Sequence, residues 1–100
     1  MTTKELFEEF YSFFLKNPNA TYFALQSHIV RKKEMSLYNE IAIITRIENM
    51  RRNLQKMRIL KCLKHMSGKS NISTTKSFDK DLVEKYIKYL NKKEINNEKI

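Results

Sequence analysis

The chain of 100 residues contains one glycine, one proline and no tryptophan. Sandwiches and barrels reverse direction often and need many turn residues, so this scarcity excludes a many-stranded β fold and favours long helices with few connections. The single cysteine, Cys62, excludes a disulfide within the chain and fits a reducing compartment. No stretch approaches the ~18 consecutive apolar residues of a membrane span. The apolar run near the N-terminus is interrupted by Glu5, Glu8 and Glu9, unlike the basic start and unbroken apolar stretch of a signal peptide. The expectation is therefore a cytoplasmic protein without a membrane segment. A glycine-rich phosphate loop is also missing.

What the chain does have is apolar material and positive charge. Hydrophobic residues make up 41% of it and aromatics 11%, enough to bury a core in spite of 31% charged residues. The length suits one domain, expected over residues 1–91, with a frayed polar tail over 92–100. The net charge of +9 is unevenly spread. Residues 1–20 hold two lysines against three glutamates, whereas residues 46–70 hold eight Lys or Arg against Glu48 alone. Such a concentration is the electrostatic footprint of a surface for phosphates. Duplex DNA is the expected partner; RNA or an acidic protein would satisfy the same charge.

Hydrophobic spacing predicts the elements. Leu6, Phe7, Phe10, Tyr11, Phe13 and Phe14 form an apolar stripe on a helix over residues 3–16, with Thr2 and Glu5 at capping-box spacing and Asn17-Pro18 as its stop. Glu5, Glu8 and Glu9 read as solubilising residues on its outer side. Residues 19–33 restart after the proline with Asn19 or Thr21 as cap, and Tyr22-Phe23 also permit a short strand. Ser36 can cap a third helix with apolar positions Leu37, Ile41, Ile44, Ile47, Met50, Leu54 and Met57, interrupted if anywhere at the β-branched residues near 43–45. Residues 59–65 and 72–78 flank a turn-forming stretch that contains the glycine, Ser67-Gly68-Lys69-Ser70-Asn71, and are read as a β-hairpin with Ile72, Thr74, Lys76 and Phe78 on one side. Asp79 opens a last helix, with Phe78 and Val83 at hydrophobic-staple spacing. The expected fold is mainly α with a small two-stranded β-hairpin and three to four helices.

The third helix carries the chemistry. Opposite Ile47, Met50, Leu54 and Met57 lie Thr45, Asn49, Arg52 and Lys56, flanked by Arg46 and Asn53 on one edge and by Glu48 and Gln55 on the other. Arginine and lysine donate to guanine edges, and asparagine and glutamine pair with adenine edges. Lys56, Arg58, Lys61, Lys64 and Lys69 suit phosphates, which supply affinity without sequence information. The order helix, helix, basic helix, hairpin, helix resembles the winged helix-turn-helix superfamily. The local resemblance runs from Ile47 through Met50 and Leu54 to Ile59-Leu60-Lys61, with residues 67–71 as the tip of the wing. It implies a basic helix in the major groove and a wing on phosphate or the minor groove, most simply in a transcriptional regulator. Many members of that superfamily place a glycine where this chain has Arg58.

The rival reading is an all-helical interaction or inhibitor protein in which residues 37–66 form one helix, with Ile43, Ile47, Met50, Leu54 and Met57 as a heptad-like seam and the basic face docked on an acidic partner. No catalytic constellation stands out, so no enzyme is expected, and no cofactor. Cys62 and His65 have i, i+3 spacing, but with His28 they make too small a set for zinc. The wide aromatic face of the first helix leads to the expectation of a homodimer through that helix or the last one.

Overall fold

A computed structural model describes residues 1–67 and 71–98, without the side chains of 37–38, 65–67, 71–73 and 94–98. Its elements are α1 (Thr3–Lys16), α2 (Tyr22–Lys33), α3 (Leu37–Lys56), β1 (Leu60–Ser67), β2 (Asn71–Phe78) and α4 (Lys80–Glu98). Among the described residues the protein is mainly helical with one two-stranded antiparallel hairpin, an order of elements consistent with a winged-helix-like layout.

Local chemistry explains where each element starts and stops. The Thr2 hydroxyl accepts from the Glu5 amide at 3.1 Å, and the Asn17 amide N–H and side-chain NH2 both donate to the Phe13 carbonyl. After Pro18, Thr21 caps α2 by accepting from the Ala24 amide at 3.0 Å. Tyr22 and Phe23 therefore belong to a helix and not to a strand. Glu34, in the left-handed region at φ 49°, ends α2. Ser36 caps α3, which runs through the β-branched residues at 43–45 without a break. Burial of Ile43 and Ile47 outweighs their weak helix propensity.

The exit from α3 is a tight reversal. Arg58 has φ 63°, its amide donates to Gln55 O at 3.0 Å, and the Ile59 amide donates to Leu54 O at 2.9 Å. These two bonds, with Leu54 and Ile59 both buried beneath them, form a Schellman cap. A glycine is the usual residue at such a left-handed position; here an arginine occupies it.

Helix α3 thus ends at Lys56, and the hairpin begins at Leu60. The single helix over 37–66 does not form. The hairpin pairs Leu60 with Phe78 through to Ser67 with Asn71, slightly longer than expected. The Ile59 carbonyl accepts from the Asp79 amide at 3.0 Å, which closes the base of the hairpin where α4 starts. Asp79 caps α4, its carboxylate accepting from the amides of Asp81 and Leu82. Helix α4 then continues to Glu98, where a frayed tail from residue 92 had been expected. Residues 91–98 contain no glycine or proline, and Leu90 is anchored in the core, so nothing local ends the helix.

The core draws on the four helices and β1, with Phe78 of β2 packed against it. Leu6, Phe7, Phe10 and Phe14 of α1 meet Leu25 and Ile29 of α2, Ile43, Ile47, Met50 and Leu54 of α3, Leu60 of β1, and Val83 and Leu90 of α4. Edge-on ring contacts lock α1 in place, with Phe7–Tyr86 at 4.8 Å, Phe14–Tyr22 at 5.3 Å and Tyr11–Phe78 at 5.0 Å. Phe7, Phe10 and Phe14 of α1 are therefore spent inside the protein, while Tyr11 and Phe13 stay half-buried. The glutamates of α1 also do more than solubilise. Glu9 pairs with Lys32 at 2.6 Å and with His28 at 3.4 Å, and Glu5 lies 3.9 Å from Lys33, so two of the three tie α1 to α2.

Two departures concern which residues face inward. On α3 the buried row is Ile43, Ile47, Met50 and Leu54, while Ile41 is 61% exposed, Ile44 45% and Met57 43%. At ~100° per residue, Ile44 and Ile41 lie about 60° and 120° round the helix from Ile47, beyond the width of the packed face. On β2 the inward row contains a lysine. Lys76 is 4% exposed. Its ammonium donates to the carbonyls of Ala20 and Thr74 and to the Thr74 hydroxyl, and lies 5.4 Å from the Phe14 ring and 5.1 Å from the Tyr22 ring. Burial lowers its pKa from the ordinary lysine value.

Candidate nucleic-acid interface

Packing of Ile43, Ile47, Met50 and Leu54 into the core fixes the rotation of α3 about its axis. The opposite row is then Thr45, Asn49, Arg52 and Lys56, and all four are exposed. The steps of 4, 3 and 4 residues keep them on one line along the helix. Asn53 is exposed beside them. Arg46 is only half exposed, because its guanidinium donates to the Met1 carbonyl at 2.6 Å. It braces α3 against the start of the chain more than it faces outward.

The other edge of the row is held by a polar network. Arg51 donates to Glu48 at 2.8 Å and to Gln55 at 2.9 Å, and its guanidinium carbon lies 5.7 Å from the Tyr22 ring centre. The hydrogen bond from Arg51 holds the Glu48 carboxyl below its ordinary pKa. Gln55 donates in turn to the Cys62 sulfur at 3.2 Å, and the Tyr22 hydroxyl lies 3.1 Å from the same sulfur. Burial, followed by the bond to Cys62, raises the pKa of the Tyr22 hydroxyl. The network joins α2, α3 and β1, so the angle between the basic helix and the hairpin is set by side chains that leave the outer row free. Arg51 and Tyr22 were not singled out from the sequence. The signal for Arg51 was present in its spacing to Glu48 (i, i+3) and to Gln55 (i, i+4).

The one acid in this stretch is thus occupied by Arg51. Among the described residues, Arg52, Lys56 and Arg58 make no salt bridge. Arg58 is exposed at the reversal between α3 and β1. The hairpin lysines do not share a face. Lys61 is exposed on the outer side with Leu63, whereas Lys64 follows Cys62 on the other side and pairs across the strands with Thr74. Lys69, expected at the tip of the hairpin, lies outside the described residues.

An apolar strip borders the basic row towards α2. Phe23 is 73% exposed, and with Ile44 it lines a shallow groove between α2 and α3. Among the described residues no helix is long and apolar enough to cross a membrane. The chain matches no protein-family model, no curated protein and no solved structure at a significant level.

Proposed function

We propose that the protein binds duplex DNA, with the outer row of α3 in the major groove and the hairpin lysines on phosphates, most simply as a transcriptional regulator. The observation that carries this reading is the row itself. Thr45, Asn49, Arg52 and Lys56 stand exposed in one line on a 20-residue helix whose opposite side is packed into the core. Such a helix has the length and width to lie in a major groove, and these residue types match the donors and acceptors of base edges. Arg52 and Asn49 would read bases. Lys56, Arg58, Lys61 and Lys64 would hold phosphates, and Arg46 contributes less because Met1 engages it.

The test is fluorescence anisotropy on a labelled duplex of random sequence across a salt series, followed by selection of a preferred site. Binding should weaken steeply with salt, because each neutralised phosphate releases counterion. Lys61→Ala should weaken binding to all duplexes about equally and reduce the salt slope by about one. Arg52→Ala should cost about 1–3 kcal/mol on the preferred site and relax one base pair. Both side chains are exposed, so the melting temperature should stay unchanged. A wild type without salt-sensitive duplex binding, or a folded Arg52→Ala protein that binds as tightly as wild type, refutes the assignment and leaves RNA or an acidic protein as the object of the basic face.

A further inference from the structure

A second concave surface lies between the C-terminal end of α3 and α4. It is an open groove of about 680 Å3, within the ~300–1,000 Å3 of small-molecule sites. Its floor is apolar, formed by Met57, Ile59, Leu82 and Leu90, and Tyr86 and Tyr89 stand along it. Tyr89 is 57% exposed and Met57 43%, so the floor carries apolar surface that the fold itself does not cover. Three lysines rim the groove, Lys56 from α3 and Lys85 and Lys93 from α4, and no acidic side chain lines it among the described residues.

We propose that this groove binds a small amphipathic carboxylate, an aliphatic or aromatic acid whose apolar body lies on Met57, Leu82 and Tyr89 and whose carboxylate meets the lysine rim. Charge complementarity selects this occupant. A neutral hydrophobe would make no use of the lysine rim, and a phosphate alone would leave the apolar floor wet. A second copy of the chain is disfavoured, because an isologous contact centred on the groove would bring lysine rim against lysine rim. The groove also has a regulatory consequence, which rests on the DNA-binding reading. Lys56 belongs both to this rim and to the outer row of α3. A carboxylate held by Lys56 competes with a DNA phosphate for the same ammonium, so an occupied groove lowers affinity for DNA.

Octanoate and neutral 1-octanol are the probes, titrated into the full chain and followed by amide NMR, with acetate matching the ionic strength. Octanoate should shift the amides around Met57, Leu82 and Tyr89 saturably, and several-fold more tightly than octanol. The double variant Lys85→Gln/Lys93→Gln should bind octanoate roughly tenfold more weakly and octanol as before, with an unchanged melting temperature because both lysines are exposed. Octanoate should also weaken duplex DNA binding by the wild type more than by the double variant. No saturable shift at millimolar octanoate, equal affinity for octanol, or a double variant that binds octanoate like wild type would overturn the site. So would a wild-type dimer that Tyr89→Arg dissociates, since a second copy would then fill the groove. Octanoate binding without effect on DNA affinity overturns the competition at Lys56. The titration needs no nucleic acid, so a chain that binds no DNA defeats the DNA reading while the groove is still decided by octanoate.

Discussion

Lys76 offers the sharpest test of how this fold is held together. It occupies an inward position on β2 that a strand pattern assigns to an apolar residue, and only 4% of it is exposed. Lys76→Met keeps an unbranched side chain of similar volume and removes the ammonium, so it isolates what the charge contributes. Hydrogen bonds to a charged donor are worth ~1.5–3 kcal/mol, and a cation facing an aromatic ring adds ~0.5–2 kcal/mol. Two costs oppose them. The ammonium was taken out of water, as its lowered pKa reflects, and a long side chain was ordered. The acceptors decide the balance. The Ala20 and Thr74 carbonyls stay in place when the ammonium goes, and both residues are half-buried, so water satisfies them only in part. The expected loss is about 1–3 kcal/mol, read as a lower urea midpoint at unchanged slope by circular dichroism. A pH series adds a second readout. Because the folded pKa is depressed, the unfolded chain binds more protons than the folded one between that value and the ordinary 10.5. Stability of the wild type relative to Lys76→Met must therefore rise with pH through that window. A methionine variant as stable as wild type would mean that desolvation and ordering cancel the lysine's bonds, and a stability difference that shrinks as pH rises would mean a raised lysine pKa, with the bonds to the charge outweighing its desolvation; either result refutes the reasoning.

Two further outcomes follow from the same structure. Phe10 is 0% exposed and touches rings of Phe14, Tyr22 and Phe78, so Phe10→Ala should cost about 3–5 kcal/mol and lower the thermal midpoint by more than ten degrees, roughly, in calorimetry; a loss below about 1 kcal/mol would mean that α1 is not clamped in the core. Arg58→Gly removes a side chain from a left-handed position and should raise stability by up to ~1 kcal/mol in urea unfolding while weakening DNA binding in anisotropy through the loss of one cation; a less stable glycine variant would contradict the geometry of the reversal.

Much of the layout was legible because its signals are local. Thr2, Thr21, Ser36 and Asp79 cap helices through bonds to amides no more than three residues on, and Asn17-Pro18 ends α1 within one turn. The turn stretch between two strand-forming runs marked the hairpin. The outer row of α3 was legible as well, since Thr45, Asn49, Arg52 and Lys56 follow from helical spacing once Ile47 and Leu54 point inward. What failed to show was any feature set by residues distant in the chain. Arg46 looked as available as Arg52 until Met1 came within 2.6 Å of it, and Glu9 looked like a solvated acid until α2 brought Lys32 beside it.

By itself, then, the sequence determined the caps of α1, α3 and α4, the stop of α1 at Asn17-Pro18, the turn stretch between two strand-forming runs, and that positive charge gathers on residues 46–70. Caps, turns and charge act over a few neighbouring residues, and a single chain displays them openly. Only the tertiary structure decided which isoleucines of α3 are buried, that α4 runs on to Glu98, and that Lys76 lies inside against Ala20, 56 residues away. Which side of an element is covered depends on the shape and the free carbonyls of whatever packs against it. A lysine can take an apolar position only where acceptors and aromatic rings from other elements converge on it, and no spacing rule within one strand contains that information.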